Sequence, residues 1–373
     1  MIPLHDPYIS QQARDYMNDC LNQGWISSSG MYVGQFEDKF SQFTNLPCSV
    51  AIQSGTAALH LALLTLGVKK GEVVIAPDLT FVASINAISY TGAEPLLVDA
   101  NESNWQMDLD VLEEFLIKET EVREDGCYWA ARNRKISCIM AVHVLGYIGN
   151  MPRLKQICVS RKIALLEDAS EALGSTKGKF HAGHWGDASV FSFNGNKALS
   201  TGGGGMICFH DPDRARVAKH LSTQAKKDEF WYDHDQIGFN TRMTALTAAF
   251  GCGQLAVFEE KLSRKVEIAR RYMDELSSYG EFPTRQVDDH PNFWLNTLKT
   301  ERQRALIKKM REAEVQVRPL WKPMHELSMY RSAHYLKRDK SVSHQLHLSC
   351  LSLPSSPNLS EQEQEQVIQV FYQ

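Results

Sequence analysis

Short apolar runs alternate with helical patterns through the first half of the chain. Apolar residues from Ala57 to Leu66 are dense enough for a buried helix, Val73 to Ala76 reads as a strand, Ala83 to Tyr90 as a helix, and Pro95 to Val98 again as a strand. Ile136 to Val142 and Ile163 to Leu166 repeat the short apolar strand, with a helical segment from Met151 to Lys162 between them. Strand, helix, strand at this spacing predicts an α/β fold: a largely parallel sheet with helices on both faces. The polar stretch from Lys118 to Arg134 predicts a surface loop or excursion.

Past residue 245 the texture changes. One long helical pattern runs from Ala248 to Leu276, followed by a strand-like run from Phe293 to Leu298, a helix from Arg302 to Ala313 and a closing helix from Ser360 to Tyr372. Ser360 and Glu363 have the spacing of a capping box at the start of that last helix. At 373 residues the chain exceeds what one core usually supports, so two parts are expected, a large one over 1–250 and a small one over 251–373.

Composition narrows the function classes. Hydrophobic residues at 43% and charged residues at 23% describe an ordinary globular protein, and a net charge of -4 without a basic stripe argues against nucleic acid as a partner. No apolar stretch reaches the ~18 residues of a membrane span, and the first residues lack a signal-peptide pattern. Eight scattered cysteines with no Cys-x-x-Cys pair read as reduced thiols of a cytoplasmic protein.

The chemistry gathers around Lys197. It lies in Phe191-Ser192-Phe193-Asn194-Gly195-Asn196-Lys197, precedes the glycine run Gly202 to Gly205, and follows Asp168 by 29 residues. A lysine amine can hold an aldehyde cofactor as a Schiff base, and a carboxylate such as Asp168 can keep that cofactor's pyridine nitrogen protonated. The ordered pair suggests a pyridoxal phosphate enzyme, with Asp168 just past a predicted strand, where active sites of such sheets gather. Ser54-Gly55-Thr56-Ala57 opens a helix whose free N–H groups favour a phosphate, although the same residues also make an ordinary N-cap. Ser192 could reach the same phosphate or simply pack in its strand. Phe81, after the strand at Val73, either stacks on a cofactor ring or packs in the core. His181, His184 and Asp187 lie among glycines with no second ligand pair, so no metal is assigned.

These motifs, together with Gly24-Trp25-Ile26-Ser27-Ser28-Ser29-Gly30, Glu167-Asp168-Ala169-Ser170-Glu171, Gly238-Phe239-Asn240-Thr241-Arg242 and Arg318-Pro319-Leu320-Trp321-Lys322-Pro323-Met324-His325, make the chain resemble the DegT/DnrJ/EryC1/StrS sugar aminotransferases over essentially its full length. The resemblance implies a fold type I enzyme with a mostly parallel seven-stranded sheet and pyridoxal 5'-phosphate as cofactor. It implies Lys197 as the Schiff-base lysine, Asp168 as the partner of the pyridine nitrogen, and Glu171 near the phenolic oxygen. Gly55, Thr56, Ala57 and Ser192 fall at the phosphate, and Phe81 falls where the family stacks an aromatic ring.

Asn240 is similar to an asparagine that reaches the phosphate from a second subunit, which implies a homodimer with shared active sites. By the same resemblance Trp25, Ser28, Ser29, Trp321, Lys322 and His325 are candidates for contact with the nucleotide sugar, while each could equally serve packing or the surface. The implied reaction moves an amino group from L-glutamate to the C4 ketone of a nucleotide-linked 4-keto-6-deoxyhexose; the alternatives are a 3-keto or a GDP- or dTDP-linked sugar as acceptor, or a non-catalytic sugar-nucleotide-binding protein on this fold. Leu221 to Glu229 and the excursion at Lys118 look most like the branch that aminates a UDP-linked N-acetyl sugar in bacillosamine and legionaminic acid pathways. Ala245 and Thr247 depart from the family pattern, where Asn or Asp and Gln or Asn are usual.

Overall fold

Val73 and Ile75 pack into one hydrophobic cluster, while Val74 and Ala76 pack into another. Successive residues of a strand point to opposite faces, so both faces of this sheet are covered and its strands read as continuous apolar runs. The computed structural model describes residues 1–228, 230–286 and 288–372.

The central sheet contains β1 (Ser49–Ile52), β2 (Val73–Pro77), β3 (Glu94–Val98), β4 (Thr120–Arg123), β5 (Gly126–Trp129), β6 (Arg134–Val142), β7 (Ala164–Asp168), β8 (Ala188–Ser192), β9 (Gly205–Phe209) and β10 (His334–Leu336). Its order is β1-β9-β8-β7-β6-β2-β3-β10, with the β4-β5 hairpin attached to β6. Strands β8, β7, β6, β2, β3 and β10 are mutually parallel, and β9 runs antiparallel to both β1 and β8. The carboxyl ends of β2, β6, β7 and β8 therefore open on one side, where Asp78, His143, Asp168 and Ser192 stand. Seven strands of the main path come from the first 209 residues, as expected. The eighth, His334–Leu336, comes from the C-terminal region and pairs with β3.

A third hydrophobic cluster joins Tyr272, Leu276, Leu298, Leu306, Leu351 and Phe371. It lies on an antiparallel sheet of Asn296–Lys299, Cys350–Leu353 and Arg318–Pro319. Ile2 belongs to this cluster and exchanges backbone hydrogen bonds with Glu314 and Gln316, so the chain's start is tied to its last third. The capping box is present: Ser360 N and Oγ donate to Glu363 Oε2 at 2.9 and 2.8 Å, and Glu363 N donates back to Ser360 Oγ at 3.2 Å.

Three expectations need correction. The helix expected over Ala248 to Leu276 is two helices, Ala245–Leu255 and Phe258–Leu276, separated at Val257, whose φ of -114° and ψ of 8° leave the helical region. The first is buried nearly all round: a Cβ on Gly253 would stand 2.3 Å from the backbone of Ala13, and one on Gly251 2.8 Å from Phe36. The second is amphipathic, so the break separates a core helix from a surface one. The excursion from Lys118 to Arg134 is the β4-β5 hairpin, seated because Cys127 and Trp129 are buried and pair in register with β6. The strand expected from Phe293 begins only at Asn296, because Phe293 adopts φ 49°, which ends extended backbone. Among the described residues no helix is long and apolar enough to cross a membrane.

Candidate active site

The helix Gly55–Thr65 begins directly against the end of β8. Ser54 caps it, accepting from the N–H of Ala57 at 3.2 Å, which leaves the N–H groups of Gly55 and Thr56 without a partner among the described residues. A Cβ at Gly55 would lie 2.8 Å from Ser192 Cβ and 3.0 Å from its Oγ. Only glycine lets the positive end of this helix close on the Ser192 hydroxyl, and the two together make a pocket for an anion. Ala57 stands one position deeper and does not line the cavity.

That pocket is one end of a cavity of about 330 Å³ at the carboxyl edge of the sheet. At its floor Asp168, at the end of β7, is only 4% exposed. Ser84 Oγ donates to its Oδ2 at 2.7 Å and Ser170 N to its Oδ1 at 3.1 Å. Glu167, its neighbour in the strand, points to the opposite face. Burial alone would raise the Glu167 pKa, but His143 Nε2 at 2.8 Å and the N–H groups of Gly183 and Gly186 together hold it below the ordinary carboxylate value.

Lys197 enters the cavity from the loop between β8 and β9. The loop is pinned by Phe193, which is fully buried edge-on against Phe36 and Phe40 and bonded through its backbone to Gly204 and Thr201. Lys197 Nζ lies 3.6 Å from Glu171 Oε1 and 4.1 Å from the centroid of Trp294. Glu171 Oε2 accepts from Leu145 N at 2.8 Å. Burial pushes the Glu171 carboxyl up to about 7, with the Lys197 charge acting against that rise. Phe81 lines the mouth and is 51% exposed. Trp321 lines the cavity beside Trp294, their rings 6.2 Å apart and inclined by 17°.

The cavity thus gathers Gly55, Thr56, Phe81, Asp168, Glu171, Ser192, Lys197 and Trp321 from the residues singled out in the sequence. It does not gather the others. Trp25, Ser28, Ser29 and Asn240 are exposed and lie off the wall. Lys322 is about half exposed, 4.0 Å from Glu326. His325 is turned into the fold: Asp78 accepts from its ring nitrogen Nδ1 at 2.7 Å and its N–H at 2.8 Å, a partnership that raises the His325 pKa, and Tyr335 stacks on it at 4.1 Å. His181 spends both ring nitrogens on the backbone of Gly174 and Ala182, and Asp187 accepts from Lys155 and from the N–H of Leu165. Sequence reasoning missed Ser84, Ser170 and Trp294. Ser84 follows Thr80-Phe81 by one helical turn, a spacing that could have pointed to it.

The sequence profile of the DegT/DnrJ/EryC1/StrS aminotransferase family matches residues 7–372. The chain is 36% identical to the GDP-perosamine synthase of Escherichia coli O157:H7, over 99% of this chain and 96% of that protein. It is 32% identical to the GDP-perosamine synthase of Caulobacter vibrioides, over 97% of this chain and 95% of that one. A DegT DnrJ EryC1 StrS aminotransferase from Brucella abortus has the same fold, with a TM-score of 0.90 at 25% identity over 97% of this chain and 94% of the other. The cavity fits the cofactor of this group, offering open N–H donors beside Ser192 for a phosphate, a buried carboxylate and a lysine amine. The chain belongs to the DegT/DnrJ/EryC1/StrS aminotransferase family, and is a pyridoxal phosphate-dependent aminotransferase of the nucleotide-sugar type.

Proposed function

We propose that the enzyme moves an amino group from L-glutamate to the C4 ketone of a nucleotide-linked 4-keto-6-deoxyhexose, with GDP as the carrier. The observation that carries the chemistry is the meeting of Lys197 Nζ and the buried Asp168 carboxylate in one cavity. The choice of GDP is supported by the two GDP-perosamine synthases at 36% and 32% identity. The features that pointed first to a UDP-linked sugar give that expectation little support, and the GDP-linked alternative replaces it. The β4-β5 hairpin sits on β6 and none of its residues lines the cavity, and in the segment ending at Glu229 that last residue lies outside those described.

The cofactor, when bound, supplies a ring that accepts the electron pair released as a Cα–H bond breaks. Gly55 and Thr56 N–H and Ser192 Oγ would hold its phosphate, and Phe81, at the cavity mouth, would cover its ring. Asp168, kept in place by Ser84 and Ser170, would be the partner of the ring nitrogen. Lys197 Nζ takes and returns the proton as general base. Glu171 Oε1 lies 3.6 Å from that amine, and Trp321 forms part of the cavity wall.

The second subunit completes the site in this reading. Asn240 is exposed, and near it in sequence Phe230, Trp231 and Tyr232 are 78%, 78% and 75% exposed. Aromatic residues so exposed favour burial against a partner, and Trp25, Ser28 and Ser29 are exposed too. The large part over 1–250 carries the cofactor residues and the small part over 251–373 contributes Trp294 and Trp321.

Incubation with glutamate and a panel of GDP-, UDP- and dTDP-linked 4-keto-6-deoxyhexoses, followed by mass spectrometry and NMR of the products, tests the substrate. Amination of the GDP sugar at C4 is expected, and a product from the UDP sugar alone would overturn the carrier. Lys197→Ala should lose both turnover and the visible absorbance of the bound cofactor. Mixing Lys197→Ala with Asn240→Ala subunits should restore part of the activity if sites are shared.

A further inference from the structure

Trp294 is built into the fold with more attachments than a packing residue needs. Its Nε1 donates to Asn196 O at 2.7 Å, beside Lys197 in the chain. Its N–H donates to Asn292 Oδ1 at 2.9 Å, and its carbonyl accepts from the buried Lys265 Nζ at 3.2 Å. Asn292 is fully buried and its Nδ2 donates to the carbonyl oxygens of Glu171 at 2.8 Å and Leu173 at 2.9 Å. One amide side chain therefore joins Trp294 to Glu171. Phe293, between them, is held at φ 49°, a conformation that costs energy for an aromatic residue and persists only where its surroundings enforce it.

The two groups joined in this way are the two that flank the amine. The Lys197 ammonium is attracted both to the Glu171 carboxylate, 3.6 Å away, and to the indole face, 4.1 Å away. We propose that Trp294 is a positioning residue: its indole face and the Glu171 carboxylate form the seat that Lys197 Nζ occupies whenever it is not bonded to the cofactor, and Asn292 keeps the two halves of the seat in register. The inference rests on Lys197 being the cofactor-bearing lysine. A lysine stem has four rotatable bonds, and a seat that returns the freed amine to one place keeps it beside the carbon whose proton it must move.

The charged and titratable groups around the amine are Glu171, Asp168 and the buried His5, with Lys265 bonded to the Trp294 carbonyl. The test uses the apoprotein. Reductive methylation with formaldehyde and borohydride attacks only the neutral amine, and mass spectrometry reads Lys197 separately from other lysines. Trp294→Phe keeps a weaker π face and Trp294→Met removes it. The pH of half-maximal labelling should fall in both variants, by roughly 0.5–1 unit in Trp294→Met and less in Trp294→Phe, the size implied by one cation–π contact between its exposed and desolvated limits. In the holoenzyme kcat should fall roughly five- to tenfold while KM for the nucleotide sugar stays within about twofold.

Should Trp294→Met fail to fold, the shift in Trp294→Phe carries the result. Labelling that becomes faster at every pH with an unmoved midpoint would mean that Trp294 only shields the amine, and would overturn the seat. So would unchanged profiles in proteins whose cofactor is still trapped on Lys197 by borohydride. Failure to trap pyridoxal phosphate on Lys197 of the native protein would instead remove the underlying assignment.

Discussion

Ser84 Oγ donates to Asp168 Oδ2 at 2.7 Å, linking the helix Val82–Tyr90 to the end of β7 across 84 residues of sequence. Both residues are buried, so this carboxylate oxygen has little access to water in compensation. Ser84→Ala removes a donor to a buried charge and should lower stability by about 1–3 kcal/mol, the range for leaving such a group short of a partner. Urea unfolding of the apoprotein measures it, and an unchanged midpoint would show that Ser170 N alone suffices. Asp168→Asn should fold yet lose most turnover, because a neutral amide cannot keep the ring nitrogen charged.

Gly55 and Ser192 constrain each other in a way that a paired substitution can expose. Gly55→Ala brings a Cβ to 2.8 Å from Ser192 Cβ, a distance that forces the helix start away from β8. Cofactor affinity, measured by equilibrium dialysis, should drop roughly tenfold or more if the phosphate loses one hydrogen bond to a charged group. Ser192→Gly removes the atoms that the new Cβ meets. The double variant should therefore bind better than the two single losses added together predict, and strict additivity would argue against direct contact.

The parallel sheet was legible because both faces are covered, which turns each strand into an unbroken apolar run such as Val73 to Ala76. Asp168 and Lys197 were legible because they follow such runs. The break at Val257 was not, since helical periodicity continues on both sides of it and only close contacts of Gly251 and Gly253 with Phe36 and Ala13 show that the first helix is enclosed. Trp294 was hidden inside a run that reads as strand, because the turn at Phe293 depends on Asn292 bonding to Glu171 and Leu173 far away in sequence. Trp25, Ser28, Ser29 and Asn240 were singled out by position in the family pattern, and in this chain they lie off the cavity wall.

Lys265 is a fully buried amine whose pKa burial lowers from 10.5 to about 7, with hydrogen bonds to Trp294 O and Ser355 O. Between those values the unfolded chain holds a proton that the folded protein lacks. Stability contributed by this group therefore rises with pH from about 7 to about 10.5, at no more than ~1.4 kcal/mol per unit. Lys265→Met should remove that slope. Urea titrations of both proteins across this window should converge in slope only if Lys265 is charged in the fold throughout, which would contradict the effect of its burial.

Glu171 gives the opposite dependence at lower pH. Burial raises its pKa from 4.5 to about 7, so the folded protein keeps a proton that the unfolded chain has already released. Stability from this group is fully present below about pH 4.5 and is lost as pH rises through about 7. Glu171→Gln carries no such penalty, so the variant should gain on the native apoprotein between pH 4.5 and 7 and hold its advantage above that. At ~1.4 kcal/mol per pH unit over roughly 2.5 units the gain has an upper bound of about 3.5 kcal/mol, a figure in which the attraction to Lys197 is already counted. The same substitution removes the anionic half of the seat around Lys197 Nζ. Glu171→Gln should thus be more stable near pH 8 and slower in turnover, and a variant that is both less stable and equally active would show that the carboxylate serves the fold instead of the reaction.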